Sequence, residues 1–332
     1  MRGPPADGTR QGRGRRAVLA AAAVALAAAP RATDAWPERP VRWIVGYPPG
    51  GGTDVLARLL GANMAGRLGM PVVVENRPGA ATNLAAEAAA NAAPDGYTVF
   101  TAGNETLVFN PALYKRLPFD ADTGLRPLGL MARFHLVLCA KTAGGAADAA
   151  GFLERVRTRP VDYGSPGIGS PHHLAAERLA RDLGVALNHV PYRSLAPVMN
   201  DLVAGTLDVA VLDMAAGSEV IRTGRVRPLA VLSPARLAAL PAVPTAAEAF
   251  DLPGFEAFAW QGLTAPGRTP DDVAGRLTAE LAAALADPAV LGRMREIGLD
   301  PLTGGPDEQR RLIASERAVY WPLIRRLGLS LD

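Results

Sequence analysis

The sequence predicts an α/β protein of two lobes, each a parallel sheet with helices on both faces, and three observations carry that prediction. Short β-rich runs alternate with helical runs along the chain, the pattern of parallel strands joined by helices. Its 332 residues exceed one ordinary domain, so two cores are expected. Each half also places a glycine-rich loop between a strand and a helix, "GYPPGGGTDVLARLL" at 46–60 and "VDYGSPGIGSPHHLAAERLARDLG" at 161–184.

The elements follow in order. Residues 1–35 combine an arginine-rich start, a 13-residue apolar run from Ala17 to Ala29 and small residues before Trp36. That is the layout of a cleavable secretory signal, and the run is short of the ~18 residues needed to span a bilayer. The Arg15-Arg16 pair leaves both Sec and Tat routes open. The first lobe then opens with strand "VRWIVGY" and a helix from Asp54 to Leu68. In that helix Leu56, Leu59, Leu60, Met64 and Leu68 recur at helical spacing, Thr53 offers a capping hydroxyl and Gly69 ends the run. Strand "PVVVEN", helix Leu84 to Ala92, strand "YTVFTAG" and a short helix through "FNPALY" complete it.

The long run "LRPLGLMARFHLVLCAK" at 125–141 reads as a strand leaving the first lobe for the second. There the alternation resumes: helix Ala147 to Val156, strand "VDYGS", helix His172 to Leu183, strand "LNHVPY", helix Leu195 to Ala204, strand "LDVAVLD", helix Gly217 to Thr223 and strand "VRPLAVLS". After a proline-punctuated stretch, "FEAFAWQGLTAP" leads back, and helices between Asp271 and Leu327 cover the first lobe. Two crossings form a hinge. The expected divisions are 1–35 for the signal, 36–139 for the first part of lobe 1, 140–256 for lobe 2 and 257–332 for the return.

Charge and cysteine content exclude several classes of function. The whole chain carries 35 basic and 32 acidic residues, but the signal holds six arginines and two aspartates, leaving 29 against 30 in the mature chain. The basic pI of 9.3 belongs to the signal, and no nucleic-acid partner is expected. Cys139 is the only cysteine, so no intramolecular disulfide forms, and its apolar setting "HLVLCAK" predicts a buried, inert thiol.

The two glycine loops carry the functional signal. Strand, glycine loop and helix start present free N–H groups at the positive end of a helix dipole, which together hold an anion. Positive φ is expected at Gly51, Gly167 and Gly169, where a Cβ would turn those donors away. One such loop in each lobe, both at the carboxyl ends of strands, predicts a cleft between the lobes. "GGGTD" lacks the GK[ST] ending of a phosphate loop, and "GIGSPH" has His172 where a dinucleotide loop needs glycine. No GxSxG elbow, zinc-ligand spacing or other metal or cofactor motif is present, and adjacent His172 and His173 point ~100° apart on a helix. Asp208 and Asp213 flank "VAVL" and read as solvated edge carboxylates in preference to a general base.

Many segments in order resemble one family: "YPPGGGTDVLARLL", "GMPVVVENRPGA", "APDGYTVF", "NPALYKRLPFD", "YGSPGIGSPHHLAAE", "VPYRSLAPVMNDLVAGTLDVAVLD", "GRVRPLAVLSPAR" and "PAVPTAAEAF". They resemble the Bug (TctC-like) periplasmic solute-binding proteins of tripartite tricarboxylate transporters. The resemblance implies a type II periplasmic-binding fold, a monomer with no cofactor or catalytic residues, a small carboxylate ligand and membrane permease subunits as partners. Residue by residue it implies Tyr47 as a wall, Gly50, Gly51, Thr53 and Asp54 as polar contacts, and Asn104 after "YTVFTAG". From the second lobe come Ser165, Gly167, Gly169, Ser170 and His173, with Asp213 near the rim. Arg193 stands as a partner for a second carboxylate or as a surface ion pair. The chain departs from the family at Ala81-Thr82-Asn83, where glycines are usual, and at "FDADTGLRP" before the crossover. An exported enzyme acting on a small carboxylate and a ligand-binding sensor component are the alternatives.

Overall fold

The computed structural model describes residues 1–3 and 36–331; beyond its first three residues, the expected export signal lies outside them. The elements below all belong to one unit, Pro37–Asp332.

Strand β1 (Val41–Val45) lies between β2 (Val72–Asn76) and β3 (Thr98–Gly103), parallel to both. Its alternation is lost because both faces are covered: Val41, Trp43, Ile44 and Val45 are all buried. The Trp43 indole N–H donates to Thr101 Oγ1 on β3 at 2.7 Å, which satisfies the one polar atom of that ring. Helix α1 (Gly52–Leu68) buries Leu56, Leu60, Met64 and Leu68, while Leu59 is only half-buried. The expected cap at Thr53 is displaced: Gly51 is the N-cap, Thr53 lies inside the first turn, and no side chain caps the helix. Helix α2 (Asn83–Ala90) follows β2. After β3, Glu105–Phe109 form a π-helical turn that runs into α3 (Asn110–Leu113), where only a short helix was expected.

The 17-residue strand β4 (Leu125–Lys141) is the crossing strand. From Leu125 to His135 it pairs antiparallel with β9 (Phe258–Pro266), and from Leu136 to Ala140 with β7 (Val209–Asp213). Both sheets therefore share one uninterrupted backbone. The strand order is β2-β1-β3-β9-β4-β7-β5-β6, with β5 (Asp162–Ser165) and β6 (Asn188–Pro191) parallel beyond β7. Strand β8 (Val226–Val231) and β10 (Leu299–Pro301) also pair with β4. The expected parallel sheets are thus parallel only at their flanks. Where the chain crosses and returns, the two segments run side by side in opposite directions, and the middle is antiparallel.

The second sheet is covered by α4 (Ala149–Thr158), α5 (Pro171–Leu183), α6 (Leu195–Ala204) and α7 (Met214–Arg222). Helix α8 (Ala246–Phe250) was missed in the proline-punctuated stretch, although Thr245 and Glu248 make a full capping box. The chain returns through β9 to α9 (Asp271–Ala286), α10 (Pro288–Glu296) and α11 (Pro306–Arg326). Tyr320, Leu323 and Ile324 of α11 join Phe100, Phe109 and Trp260 in the first core. Cys139 is fully buried on β4, and burial pushes its thiol far above the ordinary range, so it is inert as expected.

Asp208 is a buried structural clasp, not a solvated edge carboxylate. It accepts from Arg159 Nη1 and Nη2 at 3.0 and 2.9 Å and from the Asp162 N–H at 3.3 Å, and pairs with Lys141 Nζ at 2.9 Å. Burial opposes the ionised form, yet Arg159 and Lys141 prevail and bring its carboxyl to about 2. The sign follows from a depressed acid: the stabilisation is complete above 3.8 and is lost as pH falls through about 2. Asp208→Asn is expected to cost roughly 2 kcal/mol in urea unfolding at pH 7, with the gap to the wild type closing across that acid window. Equal stability at pH 7 would show that the clasp contributes nothing.

Candidate ligand-binding site

The first loop is built so that its own acid is consumed inside it. Gly50, at φ 84°, donates its N–H to Asp54 Oδ2 at 2.9 Å. Asp54 also takes Arg58 Nε at 3.1 Å, and Asn76 Nδ2 bridges Asp54 Oδ1 and the Tyr47 carbonyl at 2.9 and 3.0 Å. Burial works against the Asp54 charge, but Arg58, the Gly50 N–H and Asn76 hold its carboxyl below the usual range. Asp54 therefore shapes the loop, and the start of α1 is left without a side-chain cap. Thr53 is buried in that first turn. Gly51 has φ −76° and ψ 165°, ordinary extended backbone, so the positive φ expected there falls instead on Gly50.

The second loop is closed on itself in the same way. Ser165 Oγ accepts the Gly167 N–H at 3.2 Å and lies 2.7 Å from His189 Nε2. Gly167 has φ 141°, as expected of it, and Gly169 has φ 79° and donates its N–H to His173 Nδ1 at 3.0 Å. Ser170 caps α5 by accepting from the His173 N–H at 3.2 Å. His173 is thus buried beneath the loop and stacks on His189 at 4.1 Å between ring centroids. Burial pushes His173 down to about 3 and His189 to about 4, so both rings are neutral. Arg193 is exposed just ahead of α6.

The second loop packs on α3, and the start of α1 packs on α7 and β4. A Cβ on Gly169 would stand 2.3 Å from Leu113 Cδ1 of α3, and one on Gly52 3.5 Å from Ala215 Cβ and 3.0 Å from Phe134 Cε1. The first turns of α1 and α7 therefore meet, with Asp54 in the first and Asp213 capping the second. Asp213 caps α7 by accepting the Ala216 N–H at 2.9 Å, and its other oxygen lies 3.1 Å from His172 Nε2 at the start of α5. Burial favours the neutral acid at Asp213, but His172 and the α7 amides keep its carboxyl below the usual range. Asn104 is buried and donates to the Phe258 carbonyl at 3.0 Å, tying the end of β3 to the returning strand.

Glu105, the first residue of the π-helical turn, was not singled out from the sequence. It is 9% exposed and accepts from the Tyr47 hydroxyl at 2.7 Å. Burial raises its carboxyl above the usual range, against the pull of Tyr47 and of His172. Tyr47 is itself pushed well up by burial and by Glu105. A carboxylate two residues past a strand end in an apolar run gave no motif; its place beside the first loop follows from the alignment of β1 and β3.

The Ala-Thr-Asn departure produces a second feature hidden from the sequence. Ala80, Ala81 and Thr82 are successively left-handed, with φ of 47°, 49° and 72°. Non-glycine residues there cost about 1–2 kcal/mol each. Asn110 Nδ2 holds the turn by donating to the Ala81 carbonyl at 2.7 Å and to Asn83 Oδ1 at 2.8 Å. Thr82 and Thr106 share a hydroxyl hydrogen bond of 2.6 Å, and Thr82 lies against Gly46 in front of the first loop. At the other departure, Asp120 folds "FDADTG" into a turn by accepting the Asp122 and Thr123 N–H groups at 2.8 and 3.0 Å.

Residues 56–329 match the family model described as "Tripartite tricarboxylate transporter family receptor". Among curated proteins, the chain is 34% identical over 312 residues to Protein BugT of Bordetella pertussis, covering 93% of this chain and 95% of BugT. Among solved structures, R. palustris Rpa4515 with adipate superposes with a TM-score of 0.81 at 31% identity, over 89% of this chain and 99% of that one. The periplasmic binding protein BugD gives 0.78 at 32%, over 90% and 100%.

Two expectations test this geometry. Gly51→Ala should leave stability and binding nearly unchanged, whereas Gly167→Ala should cost about 1–3 kcal/mol through its left-side φ; thermal melts in parallel check this, and equal losses would contradict the assigned backbone. The second concerns pH. Folded-state values of about 3 and 4 lie below the ordinary 6.5, so the stability given by neutral His173 and His189 is complete above 6.5 and lost as pH falls toward them. His189→Gln should remove about half of the histidine contribution to the slope of stability against pH in that window. An unchanged slope would mean that His189 titrates normally.

Proposed function

The chain belongs to the tripartite tricarboxylate transporter receptor family, and from that premise we propose that it is an extracytoplasmic receptor for a small carboxylate. It closes two lobes on its ligand and delivers it to the membrane permease subunits of a tripartite transporter. The lobes are 36–139 with 257–332, and 140–256. The protein works as a monomer in the periplasm after Sec or Tat export, and releases its ligand chemically unchanged.

One observation carries this reading: the uncapped start of α1 meets the start of α7 at Gly52 and Ala215. Asp213 already caps α7, whereas the N-cap of α1 is a glycine with no side-chain cap, which leaves its first-turn N–H groups and positive end for an anion. Gly51, Gly52 and Thr53 supply N–H groups on one side. On the other, His172 is held by Asp213 at the joint start of α5 and α7. Adipate bound by a relative of 31% identity is a ligand of the expected class. Tyr47, Gly50, Asp54, Asn104, Ser165, Gly167, Gly169, Ser170 and His173 then act as the wall and the frame of the cleft. Asp213 fixes the rim.

Small-angle scattering and calorimetry on the mature protein test the proposal together. A panel of mono-, di- and tricarboxylates should contain a ligand of micromolar affinity or better that lowers the radius of gyration. Binding without compaction would overturn lobe closure, and failure of every carboxylate would overturn the receptor reading.

A further inference from the structure

Helix α5 is buried on two sides. Ala175, Ala176 and Leu179 pack into the core of the second sheet, but Leu174, fully buried, belongs to the core of the first, with Leu113 and Tyr320. Arg178 follows Leu174 by four residues and so lies on the same side of the helix. Its Nη1 donates to the Glu256 carbonyl at 2.5 Å where the chain returns, and its guanidinium stands 5.0 Å from the Phe255 ring centroid and 5.7 Å from that of Tyr320 in α11. Arg133 of β4 holds the Glu256 carboxylate at 2.6 Å, so this seam is tied to the crossing strand. The start of α7 touches the first lobe differently. It rests on two glycines: a Cβ on Gly52 would stand 3.5 Å from Ala215 Cβ, and one on Gly298, between α10 and β10, 3.1 Å from the Met214 carbonyl oxygen. The charged side chains there, Asp213, Glu219 and Arg222, bond within residues 172–222.

The two contacts differ in what it takes to undo them. Withdrawing Leu174 exposes a whole apolar side chain, and moving Arg178 breaks a charge-assisted hydrogen bond. Lifting Ala215 from Gly52 uncovers little more than a methyl group, and neither glycine has a side chain that must repack. We infer that lobe 2 swings about its α5 seam: Leu174 and Arg178 stay docked on lobe 1 as the pivot, while the start of α7 lifts off Gly52 and Gly298 to open the cleft. The second glycine loop, at the head of α5, lies beside the pivot and moves least. The inference rests on the lobe-closure reading above and assigns which contact moves in it.

Two cysteine variants of the mature protein test it without any ligand. In Gly52→Cys/Ala215→Cys the Cβ separation of 3.5 Å suits a disulfide, and buried Cys139 takes no part. Oxidation should lower the radius of gyration in small-angle scattering, and dithiothreitol should restore it. Equal radii in the two redox states, or thiols that fail to join in the folded protein, would overturn the moving contact. Leu174→Cys tests the pivot independently, with labelling by N-ethylmaleimide followed by peptide mass spectrometry. The new thiol should react within about tenfold of the rate of Cys139 in the same molecule, because both stay buried until the protein unfolds; a faster reaction would overturn the pivot. A carboxylate from the panel above that still compacts the oxidised double variant would overturn the inference and leave the receptor reading intact. If both variants behave as expected but no carboxylate binds the wild type, the receptor reading falls and the inference stands.

Discussion

Everything in this molecule hangs on one strand that belongs to two sheets. Each backbone group of β4 needs a partner, and over 17 residues the strand finds β9 and β10 at one end and β7 and β8 at the other. Its residues enter both cores, Leu125 and Leu130 the first and Leu136, Leu138 and Ala140 the second, so neither is complete without it. The same constraint fixes the site. Loops at the carboxyl ends of β1, β3, β5 and β7 open toward the crossover, so the starts of α1, α5 and α7 and the π-helical turn converge on one region.

Within that region, several side chains that the sequence suggests as ligand contacts also hold the backbone in place. Asp54 closes the first loop, Ser165 and His173 the second, and Asp213 the start of α7. Such internal hydrogen bonds fix the direction in which the remaining loop N–H groups point, and aligned backbone N–H groups can hold an anion without a cationic side chain. The strained turn at Ala80–Thr82 belongs to the same economy: hydrogen bonds from Asn110 and Thr106 hold a backbone shape that the sequence disfavours.

Much of the fold was legible because its signals are local. Leucine spacing in α1, the β-rich runs and the long apolar stretch at 125–141 each determine one element. What escaped depended on contacts distant in sequence. The antiparallel middle of the sheet follows from the return of β9, which nothing in 258–266 declares, and β10 is too short for any periodicity. Glu105 read as one more residue in "GNETLVF" until β3 placed it beside Tyr47. Gly51 and Gly50 could not be told apart, because three adjacent glycines leave the position of the turn to the surrounding hydrogen bonds.

The return of the chain also governs how the protein can fold. Strand β3 pairs with β9 across more than 150 residues of intervening chain, and Phe100 and Phe109 pack against Tyr320 and Ile324 of α11. Such distant pairings make for high contact order and slow folding, since the intervening loop must be closed before its contacts reward it. During synthesis the first core therefore stays open until the final quarter of the polypeptide has been made. A nascent chain of this topology remains threadable for most of its time on the ribosome, and commits to its compact form only once its last helix arrives.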